Sequence, residues 1–178
     1  MSAITNTPVN RNFLASSNFR MALQRAPSLN FFLQGISIPG LSFEGSIDMP
    51  TPFVKIPIPG DHINYAPLTV EFIVDEDLTN YLEIWNWIIS IAGPESIDPT
   101  STDRLDNKLV TDYNSRARSD IKLMILSSAK NPNLEVTFYD AFPSSLGQLN
   151  FTTVSSDISY IQCSVTFDYI KYKIEKYS

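Results

Sequence analysis

The sequence contains very few of the residue types on which most enzyme and metal sites depend. Its 178 residues include one histidine, His62, and one cysteine, Cys163. A single cysteine excludes an internal disulfide framework and a multi-cysteine metal site, and a single histidine excludes a histidine-rich zinc site. The six glycines form no phosphate-binding motif. We therefore predict no catalytic residues, no metal site and no cofactor.

Long apolar runs and clusters of positive charge are also missing. No run of about 18 apolar residues occurs, so we predict no membrane span and no membrane partner. The first residues lack the apolar core of a secretory signal, which favours synthesis in a reducing cytoplasm. The net charge is −6, and no stripe of Lys and Arg points to sequence-specific nucleic-acid binding. An acidic surface is compatible with DNA that slides past a negative wall without binding to it.

The stretch from Leu68 to Pro94 changes from a strand pattern to a helix pattern. Apolar residues alternate from Leu68 to Val74, which predicts a strand with one buried face. After an acidic turn, the spacing becomes three and four residues, which predicts a helix over about residues 77–92. We expect Asp75 or Asp77 to cap it and Gly93-Pro94 to end it. The predicted core stripe of this helix is Leu78, Tyr81, Leu82, Trp85, Ile88, Ile89 and Ala92, with Trp87 beside it.

The rest of the chain has mostly β character. We predict strands over residues 18–24, 29–37, 119–128, 134–139, 148–153 and 158–173. The strands 119–128 and 134–139 should form a hairpin around the turn at 131–133, and Phe142-Pro143 should end it. In the last strand the alternation of apolar residues shifts by one position near Tyr169, which indicates a bulge or bend. Cys163 lies on the apolar face of its strand and is expected to be a small core residue. The predicted fold class is mainly β, an antiparallel β sandwich or open barrel with one packed helix.

Residues 41–65 form an unusual segment that carries four prolines. Proline cannot donate to a central ladder, so we predict an edge strand, an extended arm or a projecting hairpin. Its apolar residues have little chance of all reaching the core, and an exposed apolar arm usually has a partner. These residues are Met49, Phe53, Val54, Ile56 and Ile58.

The predicted organisation is a polar arm over residues 1–17 and a single domain over 18–178. The domain includes the hairpin at 41–65 and an insertion loop at 95–118, which is rich in Asp, Ser, Thr and Asn. A loop of this length usually has a function of its own. Asp61 and His62 lie side by side and could act in acid–base chemistry, but no nucleophile motif accompanies them. A histidine in the turn of a hairpin is the simpler interpretation.

The order of these elements resembles the phage tail-tube family of contractile-tailed bacteriophages, including the tube-like rings at the ends of the tail. The opening segments 18–21 and 29–32 with Ile38-Pro39-Gly40, the proline-bearing segment 49–64, the strand–helix unit 68–87 and the closing strand 156–169 carry the likeness. Together they cover most of residues 18–174. The polar arm and the acidic insertion are departures from a minimal tube subunit.

This resemblance implies a structural virion protein of the tail, made in the host cytoplasm. It implies a homohexameric ring whose inner strands form a continuous β-barrel through which DNA passes, without sequence-specific binding. The hairpin would then contact the next ring through Met49, Phe53, Val54, Ile56 and Ile58. Glu71 and Glu135, opposite the apolar residues of their strands, are candidates for the negative lumen wall, although either could equally face outward. Sheath, baseplate or neck-ring proteins are the implied partners.

Three alternatives stay open at this point. The ring could be a specialised terminal ring, either a tube terminator or a baseplate-proximal initiator, rather than the repeated tube subunit. The chain could instead be a monomeric or trimeric ligand-binding β sandwich of a tail or fibre, which would bind through loop aromatics such as Tyr113 and Tyr139. The third alternative is an enzyme that uses Asp61 and His62.

Overall fold

Antiparallel strands dominate the computed structural model, which describes residues 12–45, 47–50, 52–58, 60–92, 118–153 and 160–177. Within these residues the chain forms eleven strands and two helices. In chain order they are β1 (Phe19–Leu23), α1 (Pro27–Phe31), β2 (Leu33–Ser37), β3 (Leu41–Glu44), β4 (Ile47–Pro50), β5 (Lys55–Ile58), β6 (His62–Tyr65), β7 (Leu68–Ile73), α2 (Thr79–Ala92), β8 (Ser119–Leu126), β9 (Pro132–Leu146), β10 (Gln162–Asp168) and β11 (Lys171–Lys176).

The main sheet has seven strands in the order β1-β8-β9-β10-β7-β2, with β11 also paired to β9. Strand β9 joins two parts of this sheet, because residues up to Ala141 pair with β8 and residues from Phe142 onward pair with β10. Asp140 lies at this change with φ +54°. We call β1, β8, β11 and residues 132–141 of β9 half-sheet A, and β2, β7, β10 and residues 142–146 of β9 half-sheet B.

Both half-sheets and α2 contribute to one apolar core. Leu68, Val70 and Phe72 of β7 are fully buried, as the strict alternation of this strand predicted. Half-sheet A contributes Phe138 and Ile121, which are equally buried. Each such side chain contributes about 1.5–3 kcal/mol through the removal of apolar surface from water. The mainly β, antiparallel fold class is therefore confirmed, and the described strands form no closed barrel.

The helix predicted over residues 77–92 is present, but its buried face was predicted correctly only in part. Tyr81 and Ile88 of the predicted stripe pack against the core. Ile84 and Trp87 are buried, whereas Trp85 is 43% exposed and Leu82 is 44% exposed. Apolar residues occur nearly all round this helix, so spacing alone could not identify the face that meets the sheet. The described hydrogen bonds place Asp75 in the turn before α2, where its carboxylate accepts the Glu76 N–H and its carbonyl accepts the Leu78 N–H.

The predicted strand at 29–37 begins too early, because residues 27–31 form the short helix α1. Pro27 suits a first helical turn, where its missing N–H is not needed. The Asn30 side chain bonds the backbone N–H and the carbonyl of Leu23, which closes the chain back onto β1. Leu29 is thereby fully buried in the core.

Two further strand boundaries differ from the prediction. Phe142-Pro143 does not end a hairpin, because β9 continues to Leu146 in half-sheet B. Residues 148–153 form no strand. The phase slip near Tyr169 is real, since β10 ends at Asp168 and β11 begins at Lys171 in the other half-sheet. The shift in the apolar alternation therefore reflects the passage of the chain from half-sheet B to half-sheet A.

Several predictions lie outside the described residues. These are most of the polar arm, which the structure describes only from Asn12, the helix stop at Gly93-Pro94, the insertion up to residue 117 and the start of the strand at 158. Within the described part of the chain, no helix has both the length and the apolar character that crossing a membrane requires.

Candidate functional site

Residues 41–65 form the predicted hairpin, which consists of two short antiparallel ladders. Strands β3 and β6 form the inner ladder, and in the chain they directly follow β2 and precede β7 of the main sheet. Strands β4 and β5 form the outer ladder. Neither ladder belongs to the seven-stranded sheet. A two-stranded hairpin is only marginally stable in water, so a hairpin of this kind requires support at its base or from a partner.

The outer ladder has one apolar face, and it carries the residues that the sequence singled out. Met49 lies opposite Ile56, and Ile58 is two residues further along the same strand. Cross-strand pairs and residues two apart share a face, so these three side chains form one surface. They are 51%, 49% and 40% exposed, and Phe53 at the tip is 95% exposed. Val54, beside Phe53, is also exposed.

The inner ladder has an apolar face of its own, which our sequence prediction missed. Phe43 pairs with Ile63 and Leu41 pairs with Tyr65, and Leu41, Phe43 and Ile63 are all more than half exposed. The opposite face is polar, where Asn64 donates to the Glu44 carboxylate at 2.8 Å. Strict alternation of apolar and polar residues over 41–44 and 62–65 was the available signal.

Two glycines form the joint between the ladders. The inner ladder ends at the pair Glu44 and His62, and the outer ladder begins at the pair Ile47 and Ile58. One side of the joint thus has one residue more than the other, as in a β-bulge. Gly45 has φ +79°, and a Cβ on Gly60 would lie 1.8 Å from the carbonyl oxygen of Glu44. No side chain fits at Gly60 without a shift of the backbone.

Tyrosines hold the base of the hairpin. Tyr65 forms edge-on ring contacts with Tyr169 and Tyr172, at centroid distances of 6.0 and 5.6 Å. The Tyr169 hydroxyl donates to the Ala66 carbonyl oxygen at 2.7 Å, and the Tyr172 hydroxyl donates to the Pro39 carbonyl oxygen at 3.2 Å. Burial and the neighbouring phenols raise the pKa of Tyr169 to about 12. This tyrosine cluster fixes both chain segments that enter the hairpin.

The outward face of half-sheet B is polar and contains no cation. None of its four segments includes Lys or Arg, and their only charged residues are Glu71 and Asp168. Glu71 points away from the core, between Gly35 of β2 and Ser164 of β10. A Cβ on Gly35 would lie 3.2 Å from a Glu71 carboxylate oxygen, so glycine leaves room for this side chain.

Glu135 lies on the other half-sheet, where the structure pairs it with a cation. Lys122 of β8 donates to its carboxylate at 2.7 Å. This hydrogen bond lowers the pKa of Glu135 and raises that of Lys122. Half-sheet A also carries Arg20, Lys171 and Lys173 among its exposed positions, so its outward face mixes both signs of charge. The two predicted lumen carboxylates are therefore not brought together.

The residues considered for chemistry are dispersed. His62 is exposed at the start of β6, opposite Glu44. The Cys163 thiol is buried and donates to the Gly147 carbonyl oxygen at 3.4 Å, and burial raises its pKa, as expected of a core cysteine. Among the described residues, no group of three or more His, Cys, Asp or Glu is placed to hold a metal ion. Tyr139 is half-buried beneath the Lys171 ammonium, and Tyr113 lies outside the described residues.

Comparison with known proteins gives four consistent similarities, one to a family model, one to a curated protein and two to solved structures. A family model described as phage tail tube protein matches residues 4–175. The tail tube terminator protein of Enterobacteria phage T4 is 24% identical over 167 residues, which cover 90% of this chain and 88% of that protein. The tube-terminating cap of the anti-feeding prophage superimposes with a TM-score of 0.62 at 13% identity, over 99% of this chain and 100% of the cap. The sheath/tube terminator of the PVC contractile injection system gives 0.59 at 15% identity, over 94% and 99%.

Proposed function

Because this chain belongs to the phage tail tube protein family, we propose that six copies of it form a ring that ends the tube of a contractile phage tail. The role is structural and involves no catalysis. The similarity to the T4 terminator along nearly the whole chain supports a terminal ring over the repeated tube subunit. The protein then resides in the tail of the virion, next to sheath, baseplate or neck-ring proteins.

The observation that carries the ring proposal is the pair of open edges on half-sheet B. In the described structure, β2 pairs only with β7, and residues 142–146 of β9 pair only with β10. Unpaired edge strands promote association unless they are protected. We propose that the β2 edge of one copy pairs with the β9 edge of the next. Such a head-to-tail contact uses two different surfaces and closes into a ring when the rotation between copies allows it.

In this ring the outward face of half-sheet B lines the lumen. A wall without Lys or Arg offers DNA phosphates no cation to bind, and cation contacts to phosphates supply most non-specific DNA affinity. Glu71, repeated in every copy, places a ring of negative charge on this wall. Half-sheet A is less suited to form the lumen wall, because its Lys and Arg side chains would bind DNA phosphates. We therefore retain Glu71 as a lumen residue and propose that Glu135 lies outside the lumen.

The hairpin supplies the contacts between rings or between neighbouring copies. Its outer ladder exposes Met49, Ile56 and Ile58 on one face, with Phe53 and Val54 at the tip. Apolar side chains of this kind are stabilised when a partner removes them from water. A specific contact requires about 1,000 Å² of buried surface, which a hairpin and its neighbour can supply together.

Electron microscopy with light scattering tests this function. The purified protein should form six-fold rings that cap preformed tubes and stop their growth. Ile56→Asp should remove the capping, whereas Lys55→Asp, next along the strand on the opposite face, should retain it. Long tubes of the protein alone would instead make it the repeated subunit. A monomer that does not bind to preformed tubes would favour the ligand-binding β sandwich.

A further inference from the structure

Helix α2 presents a second apolar surface that the proposed function leaves without a role. Leu82 and Trp85 are three residues apart, and Ile89 follows four residues later, so they form one stripe on the helix. Leu82 and Trp85 are 44% and 43% exposed, while Ile84 and Trp87 on the other face are buried. The helix therefore packs on the core through Ile84 and Trp87, and Leu82 and Trp85 lie on its solvent-facing side. We call Leu82, Trp85 and Ile89 the α2 stripe.

The α2 helix also lacks the charged residues of an ordinary surface helix. Its fourteen residues include one charged side chain, Glu83. Both Glu83 carboxylate oxygens are occupied by Ser28, whose N–H donates at 3.1 Å and whose hydroxyl donates at 2.8 Å. A helix that faces water normally carries solvated charges on that side, whereas the exposed polar residues of α2 are the uncharged Thr79, Asn86 and Ser90. The lack of exposed charge on α2 favours a partner that covers the α2 stripe in the assembled protein.

The outer ladder of the hairpin has matching properties. Its apolar face contains Met49, Ile56 and Ile58, and its charged residues, Asp48 and Lys55, lie on the opposite face. Contact between this face and the α2 stripe buries no unpaired charge. Contact with the outward face of half-sheet A would bury several charged groups at a large desolvation cost. In one copy the apolar face of the hairpin, Leu82 and Trp85 are exposed and Ile89 is half-buried, so the two surfaces do not cover each other within the same chain.

We propose that the apolar face of the hairpin of one copy packs on the α2 stripe of the adjacent copy in the same ring. This inference rests on the proposed ring and names the partner of its hairpin. Each copy donates one hairpin and accepts another, in the same head-to-tail sense as the pairing of the β2 and β9 edges. The two contacts together therefore specify one rotation between neighbours. In a terminal ring the partner surface is present on every copy, so this contact needs no other protein.

Chemical cross-linking of the full-length protein tests the contact. Pro52→Cys places a thiol at the hairpin tip, and Asn86→Cys places one beside Trp85. Both positions are exposed, and the native Cys163 is buried and gives the background in the wild-type protein. A short bis-maleimide should link the double variant into a ladder that ends at the hexamer. Mixed single variants should give a dimer of one chain of each, which excludes a link within one chain. Adding Trp85→Glu to the double variant should abolish the ladder.

The other outcomes overturn the inference in distinguishable ways. Rings that are visible by electron microscopy but give no Pro52→Cys to Asn86→Cys link would leave the proposed function standing and eliminate the α2 contact. A link from Asn86→Cys to sheath protein in assembled tails, without a ladder between copies, would assign the stripe to the sheath instead. Absence of rings in the wild-type protein would overturn the ring itself and the inference with it.

Discussion

The hydroxyl of Tyr169 donates a hydrogen bond of 2.7 Å to the carbonyl oxygen of Ala66, a residue 103 positions earlier in the chain. Ala66 follows the last strand of the hairpin, and Pro39, which accepts from Tyr172, precedes the first. Tyr169, between β10 and β11, and Tyr172 of β11 thus fix the two ends of a hairpin that does not pair with the main sheet. The proposed assembly surface is therefore oriented by Tyr169 and Tyr172 near the C-terminal end of the described chain.

Removing both hydroxyls should loosen the hairpin without unfolding the domain. In the double variant Tyr169→Phe and Tyr172→Phe the rings that pack on Tyr65 and Phe138 remain. Each lost hydrogen bond costs about 1 kcal/mol. Amide hydrogen exchange over residues 41–65 should accelerate, while exchange in β7 and β10 changes little. Tyr139→Phe serves as the control, and unchanged hairpin exchange in the double variant would contradict the proposed support.

Stability should fall at alkaline pH because of Tyr169. Its pKa is raised to about 12 by burial, then by Tyr172 and Tyr65, whereas a phenol in the unfolded chain ionises near pH 10. The unfolded state therefore loses this proton first as the pH rises. The stabilisation is complete below about pH 10 and is lost as the pH rises through about 12. Urea unfolding between about pH 9 and 12 should show a steeper loss for the wild type than for Tyr169→Phe; parallel losses would argue against this assignment.

The two tryptophans of α2 should differ in their effect on stability. Trp87 is buried, contacts Phe167 at a centroid distance of 5.9 Å and lies beneath the Arg25 guanidinium at 5.1 Å. Trp87→Ala should reduce the free energy of unfolding by about 3–5 kcal/mol, because it leaves a cavity. Trp85→Ala should cost about 1 kcal/mol or less, since that side chain is partly exposed. Thermal and urea unfolding of both variants measure this difference, and equal losses would contradict the placement of the helix.

Reversing the charge at Glu71 should affect DNA passage rather than assembly. Glu71→Lys adds a ring of cations to the proposed lumen wall, which attracts phosphates and should slow ejection in a salt-dependent manner. Rings should still form, since Glu71 is exposed and faces away from the core. Glu175→Lys on half-sheet A is the matched control and should eject DNA normally. Equal ejection rates from particles with either variant would remove Glu71 from the lumen.

Gly60→Ala should disrupt the joint of the hairpin. The added Cβ would lie 1.8 Å from the Glu44 carbonyl oxygen, so the backbone must move and the ladder pairing of Glu44 with His62 is strained. Ring capping should be lost while the melting temperature changes little, because the joint lies outside the core. Gly40→Ala is the control, since no heavy atom beyond its two chain neighbours lies within 4 Å of the added Cβ. Normal capping by Gly60→Ala would show that the joint tolerates a side chain.

Local pattern predicted those elements whose burial is one-sided. The alternation of Leu68, Val70 and Phe72 placed β7 correctly, and the prolines of residues 41–65 identified the hairpin. Pattern failed where a segment is apolar on more than one side, as in α2, and where one strand serves two half-sheets, as in β9. The proline pattern predicts that a strand ends at Pro143, but in β9 this residue lies opposite Phe167 at the register shift, where the ladder is already irregular.

The sequence by itself determined the mainly β class, the long helix α2 and the exposed apolar arm. Each of these depends on periodicity or on proline chemistry within a short window. Only the tertiary structure decided which tryptophan enters the core and which carboxylate remains without a cation. Those outcomes depend on contacts between residues far apart in the chain, such as Ser28 with Glu83 or Lys122 with Glu135. Periodicity within one segment contains no information about which distant segment will cover it.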